Sequence, residues 1–124
     1  KAHPVAPANS PQDHGYLSAR TSDKHAAEAA GLGTIGPNRL LVTPQFGPRV
    51  RRGGLLPEAE RKPSPGVKDG LCEECNNCIA ACPSKALSAP SGDEPYSINK
   101  YACSVYRGGA GPCSECMRIC PQGR

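Results

Sequence analysis

Residues 72–83 read CEECNNCIAACP, with Cys72, Cys75, Cys78 and Cys82 followed at once by Pro83. The spacing C-x2-C-x2-C-x3-C-P has a physical reason. A cubane [4Fe–4S] cluster presents four iron corners, and three thiolates on a tight loop can wrap three of them. The fourth cysteine starts a helix that leads away, so its thiolate reaches a second cluster. Pro83 turns the chain and adds no amide in need of a partner.

Working outward, the unit recurs. Cys113, Cys116, Cys120 and Pro121 repeat Cys75, Cys78, Cys82 and Pro83 at a constant offset, and Cys103 supplies the eighth cysteine. Two copies of one ligand unit point to two copies of one site. By the crossed scheme, Cys72, Cys75, Cys78 and Cys120 bind one cluster, and Cys103, Cys113, Cys116 and Cys82 bind the other. The second copy departs in one respect: seven extra residues separate Cys103 from Cys113. This insertion is Gly-rich and is expected to loop out, since closure entropy grows slowly with length. Two other uses of eight cysteines compete. A disulfide scaffold fixes no spacing. Paired zinc knuckles explain neither the third cysteine after x2 nor the repeated x3-C-P.

Composition points the same way. Leu, Ile, Val and Phe make up 18 of the 124 residues, against 14 Gly and 14 Pro. So little apolar surface cannot offset the entropy of ordering the chain, and the cysteines are its staples. Metal binding is folding free energy when the site is absent from the unfolded chain. Leu71, Ile79, Ala80, Ala81, Ala86, Leu87, Ile98, Met117 and Ile119 are expected to form a dry shell around the clusters. The net charge is +4. The first half holds the basic excess, and two clusters would make the second half acidic. A nucleic-acid binder would need a denser basic stripe. No apolar run approaches a membrane span, and no charged n-region with an apolar stretch opens the sequence. A mature form and a fragment both remain open. Thiolate ligation implies a reducing compartment, the cytoplasm.

The fold class expected is α+β: a small two-[4Fe–4S] ferredoxin-like domain over 67–124, preceded by an extended arm over 1–21 and by a helix plus β-hairpin segment over 22–66. Ser22 is a plausible N-cap for a helix over 22–30, and Gly31 is its natural C′ residue. Residues 39–56 read as the hairpin: Leu40 to Val42 as one arm, Val50 to Leu56 as the return, Pro44 to Pro48 between.

Weaker signals lie there. Gly31, Gly33 and Gly36 spell G-x-G-x-x-G, but a helix precedes them and Pro37 follows, which does not suit a dinucleotide fold. They mark a place where another backbone or a cofactor comes close. Arg49, Arg51 and Arg52 form either a solvated edge or an anion or cofactor contact. His3, His14 and His25 show no ligand pairing. Tyr96, Tyr101 and Tyr106 are expected to be partly buried packing. No catalytic Ser/His/Asp or Cys/His set exists, so no catalytic residue is assigned.

The stretch SDKHAAEAAGLGTIGPNRLLVTPQFGPRVRRGGLL, residues 22–56, followed by two cluster motifs, resembles the C-terminal part of epoxyqueuosine reductases and reductive dehalogenases. The resemblance implies that the clusters pass electrons to a cobalamin shared with a preceding nitroreductase-like domain, which is expected to lie outside this sequence. It implies that the Gly31–Gly36 loop and the hairpin, with Arg49 and Arg51, face the corrin side. Three functions follow: an electron-transfer protein or subunit, the reducing half of a cobalamin-dependent reductase, and a structural iron–sulfur domain that docks a partner through its basic half. The partner is a redox protein or a missing N-terminal domain.

Overall fold

The computed structural model describes residues 1–5, 22–60, 62, 65–67 and 70–124. The elements run β1 (Ala2–Val5), α1 (Asp23–Ala29), β2 (Thr34–Ile35), β3 (Leu41–Val42), β4 (Gly54–Pro57), α2 (Asn77–Ala80), β5 (Leu87–Ser88), β6 (Ser97–Ile98), α3 (Lys100–Ala110) and α4 (Glu115–Arg118). The described strands form three separate antiparallel pairs, β1 with β4, β2 with β3, and β5 with β6.

Helix α1 ends as its sequence suggests. Gly31 takes φ +73°, its N–H donates to Glu28 O, and the Leu32 N–H donates to Ala27 O. This double bond is a Schellman motif, which uses up the last free carbonyls and turns the chain out of the helix. The start differs in detail. Ser22 occupies the N-cap position but makes no capping bond, and its hydroxyl lies 2.7 Å from His25 Nδ1 instead.

Three expectations need correction: the closed hairpin, the looped insertion, and the helix expected to start at the fourth cysteine, since α2 and α4 end before Cys82 and Cys120. The arm over 1–21 is described only at its beginning, where Ala2–Val5 is a paired strand with Ala2 opposite Pro57 and Val5 opposite Gly54. Residues 6–21, with His14, lie outside the described residues. The hairpin over 39–56 does not close on itself. Thr43 and Gly47 pair in a tight loop, with N–H···O distances of 2.9 and 2.8 Å. Pro48 then has no N–H to extend the ladder, and the chain leaves. Leu41 and Val42 pair instead with Ile35 and Thr34. The Gly-rich insertion is not a loop but most of α3. Asn99 caps that helix, its Oδ1 accepting from the Ala102 N–H at 3.0 Å. A cap of about 1 kcal/mol and a helix-compatible run ahead of Gly108 and Gly109 offset two glycines that each cost about 1 kcal/mol.

The packed interior is as thin as composition implies. Leu41 and Val42 are each only 1% exposed. A second cluster joins Cys78, Cys82, Ala86 and Leu87, with Ile79, Ile98 and Ile119 partly buried against it. Ala80, expected in this shell, is exposed. Tyr101 is also exposed, at 72%, and is not packing. Tyr96 is half-buried, and its hydroxyl donates to Asn76 Oδ1 at 3.2 Å.

Candidate metal centre

Helices α2 and α4 begin two residues after Cys75 and Cys113 and carry Cys78 and Cys116. They pack against each other. Each helix therefore delivers the cysteine beyond its C-terminal end, Cys82 or Cys120, toward the other copy's loop. The result is two cavities. The first is walled by Cys72, Cys75, Cys78 and Cys120, with Pro37, Asn38, Val42, Leu71 and Gln122 around them. The second is walled by Cys82, Cys103, Cys113 and Cys116, with Ala86, Leu87, Ile98, Tyr106 and Arg107. Each cavity thus draws three cysteines from one copy of the motif and one from the other. Cys103 reaches its cavity from the first turn of α3.

The thiols in these cavities are electrostatically crowded. Burial pushes Cys72 up to about 11, with Cys120, Cys75 and Cys78 adding to it. Burial likewise pushes Cys116 up to about 11, with Cys78, Cys113, Cys103 and Cys82 adding. Burial raises Cys78 too, against the amides of Ile79 and Cys78 that favour its thiolate. Four thiolates cannot share such a pocket without positive charge among them, which bound iron would supply. Cys82 behaves differently. Burial raises it, but the Ser84 hydroxyl and the amides of Ala86, Leu87 and Ser84 outweigh burial and hold it below the ordinary thiol range. All eight cysteines are free thiols. Among the described residues no three His, Cys, Asp or Glu side chains converge as they would around a single ion. A cubane does not ask for convergence, because each thiolate meets a different iron. The donor set fits two such clusters.

The other residues singled out from sequence are placed as follows. A Cβ on Gly31 would overlap the Gly66 backbone, and one on Gly33 would overlap Val42 O. These two positions are filled by the chain itself. Gly36 alone of the three reaches a cysteine site, since a Cβ there would stand 3.1 Å from Cys72 Sγ and 2.9 Å from Val42 Cγ2. The Arg49 guanidinium donates to the carbonyls of Met117 at 2.7 Å and Cys120 at 3.2 Å, and also to that of Gln122. It closes the carbonyl end of α4, where a cation is favoured. Arg51 lies elsewhere, on a wide open groove between α1, the loop over 43–47 and residues 50–55. Exposed Leu32, Phe46 and Leu55 line that groove. Arg52 lines it too, and its buried Nε has no hydrogen-bond partner among the described residues.

Sequence reading missed three residues. Asn38 is buried and borders both cavities, with its Oδ1 accepting from the Leu40 N–H at 3.1 Å. Gln122 donates from Nε2 to Leu71 O at 2.6 Å and so ties the end of the chain to the start of the first motif. Ser84 places its hydroxyl 3.5 Å from Cys82 Sγ. Only Ser84 left a usable signal, as a hydroxyl two residues beyond a ligand. The other two act across gaps of tens of residues.

No protein-family model matches the chain. Among curated proteins it is 31% identical over 118 residues to an epoxyqueuosine reductase of Synechococcus sp. (strain RCC307), covering 84% of the chain and 35% of that protein. It is 32% identical over 114 residues to a tetrachloroethene reductive dehalogenase of Desulfitobacterium hafniense, covering 76% of the chain and 21% of that protein. The chain therefore spans about a third or less of the length of these relatives. Among solved structures, an epoxyqueuosine reductase from Streptococcus thermophilus shares the fold over the whole chain and 34% of its own, with a TM-score of 0.66 and 21% identity. A selenomethionine-labelled epoxyqueuosine reductase gives 0.60 at 23% identity.

Proposed function

From the premise that the chain matches a C-terminal part of the epoxyqueuosine reductase and reductive dehalogenase group, we propose that it is a reductase-associated electron-transfer part carrying two [4Fe–4S] clusters. The observation that carries this reading is the pair of four-cysteine cavities, one walled by Cys72, Cys75, Cys78 and Cys120, the other by Cys82, Cys103, Cys113 and Cys116. Each cluster, when bound, takes up and gives back one electron. The chain's own groups keep the site dry and set its electrostatics: Val42, Leu71, Leu87 and Ile98 line the walls, and backbone amides face the sulfurs. Cluster ligation calls for a reducing compartment, and the cytoplasm meets that need. No described helix is long and apolar enough to cross a membrane. Anaerobic preparation followed by iron and sulfide analysis tests the assignment. About eight of each per chain is expected. Two irons, or bound zinc, would overturn it.

A second reading rests on the groove. Its apolar floor, its size and the unpartnered Nε of Arg52 favour a large ligand with acceptor groups. In the reading of the chain as the reducing half of a cobalamin-dependent reductase, this groove takes a corrinoid shared with a partner domain. Arg51 and Arg52 would meet its polar groups. Arg49, off the groove, holds α4 in place. Titration of the cluster-loaded chain with hydroxocobalamin should change the corrin spectrum, and Arg52→Ala should weaken the effect. An unchanged spectrum at every ratio removes this reading and leaves electron transfer alone.

A further inference from the structure

The two copies of the motif differ just after their last cysteine. Cys82-Pro83-Ser84 in the first corresponds to Cys120-Pro121-Gln122 in the second. Gln122 is occupied elsewhere: its side-chain amide donates to Leu71 O and its carbonyl accepts from Arg49. Ser84 is not. Its hydroxyl lies 3.5 Å from Cys82 Sγ, and Cys82 walls the second cavity together with Cys103, Cys113 and Cys116. A ligating thiolate carries no proton, so in this pair the sulfur can only accept and the hydroxyl can only donate. Ser84 itself is half-buried, so water screens the bond only in part.

We propose that Ser84 is a positioning residue that raises the reduction potential of the cluster held by Cys82, Cys103, Cys113 and Cys116, and leaves the other cluster untouched. The reason is charge. Each one-electron reduction adds negative charge that spreads onto the sulfurs. A donor aimed at one of those sulfurs stabilises the reduced form more than the oxidised one. No proton leaves the hydroxyl; the bond only shortens as charge arrives. The backbone amides of Ser84, Ala86 and Leu87 act on the same sulfur, but no side-chain substitution removes them. Ser84 is therefore the one donor in this group that can be deleted while the turn is kept. The counterpart thiol, Cys120, has Gln122 at the equivalent position and lacks a hydroxyl there. This inference rests on the two-cluster reading above and adds an inequality between the clusters.

The test is an EPR-monitored redox titration of the anaerobically prepared chain with dithionite, for wild type, Ser84→Ala and Ser84→Thr. Iron and sulfide content is measured first. If wild type lacks two clusters, the proposed function fails, and that outcome is recognisable before any potential is read. With both clusters present, Ser84→Ala should move one midpoint downward and leave the second where it was. Ser84→Thr, which keeps the hydroxyl, should restore the wild-type value. To assign the shifted signal, the same titration is run in a Cys120→Ser background, which perturbs only the other cluster's ligand set. Two unmoved midpoints in a fully loaded Ser84→Ala chain overturn the proposal. So does a shift of the cluster held by Cys72, Cys75, Cys78 and Cys120, or an equal shift of both.

Discussion

The two cysteine cavities are built from the same ligand unit but are held in different ways. The second is enclosed almost wholly by its own neighbourhood: β5, β6, the first turn of α3 and the start of α4 all lie within residues 82–116. The first borrows its walls from far away. Pro37, Asn38 and Val42 come from the segment before the motif, and Gln122 comes from after the repeat. Arg49 ties that early segment to the carbonyls of Met117, Cys120 and Gln122. Gly47 and Gly123 interlock so tightly that a Cβ on either would overlap backbone of the other's segment. One local spacing can therefore be completed either by its own sequence neighbours or by a distant brace. The braced site should depend on residues that carry no ligand at all.

That contrast can be broken most severely at the crossed cysteines. Cys120→Ala should abolish the cluster of Cys72, Cys75 and Cys78, and Cys82→Ala should abolish that of Cys103, Cys113 and Cys116. Each should lose about four irons, with the surviving cluster's EPR signal intact. The opposite pairing of mutant and lost signal would show that each copy completes its own site.

The brace comes next. Gly123 has φ +70°, and a Cβ there would overlap the backbone of Phe46 and Gly47. Gly123→Ala costs at least about 1–2 kcal/mol for the left-handed backbone alone, before any overlap. It should speed air-driven loss of the first cluster while the second decays as in wild type. Parallel decay of both would mean the interlock does not favour one site. Arg49→Met should act in the same direction but less. It removes charged donors from three carbonyls, worth about 1–3 kcal/mol, and partial exposure puts the effect toward the lower end. Visible absorbance during denaturant titration would check this, with earlier bleaching of the first cluster expected and an unchanged midpoint counting against the clamp.

The smallest effect should come from the self-contained side. Gly108 and Gly109 sit within α3 with open space where a Cβ would stand. Gly108→Ala and Gly109→Ala should each stabilise the chain by about 0.5–1 kcal/mol through helix propensity. The gain should appear as slower loss of the second cluster only. Destabilisation by either would mean that α3 needs those glycines for close approach by something else.

What could be read without the fold was what depends on covalent neighbours. The eight thiols and their repeat follow from spacing, but the helix expected to start at the fourth cysteine does not form: α2 and α4 end before Cys82 and Cys120. The end of α1 at Gly31 was legible too, as a single residue that tolerates φ near +73°. Residues acting across the chain were not. Val42 could have paired with residue 50 onward or with residue 34, and alternation alone suits both. Only Gly33 and Gly36, small enough to let β2 close on β3, and Pro48, which cannot continue a ladder, decide between them. Arg49 read as a solvated edge or an anion or cofactor contact because nothing in its neighbourhood announces the carbonyls some seventy residues later. The glycine-rich insertion read as a loop because its composition was weighed without the cap at Asn99. The sequence by itself determined the eight thiols and their order along the chain. The tertiary structure alone decided which distant segments wall each site, because that choice depends on packing among residues with no shared tether.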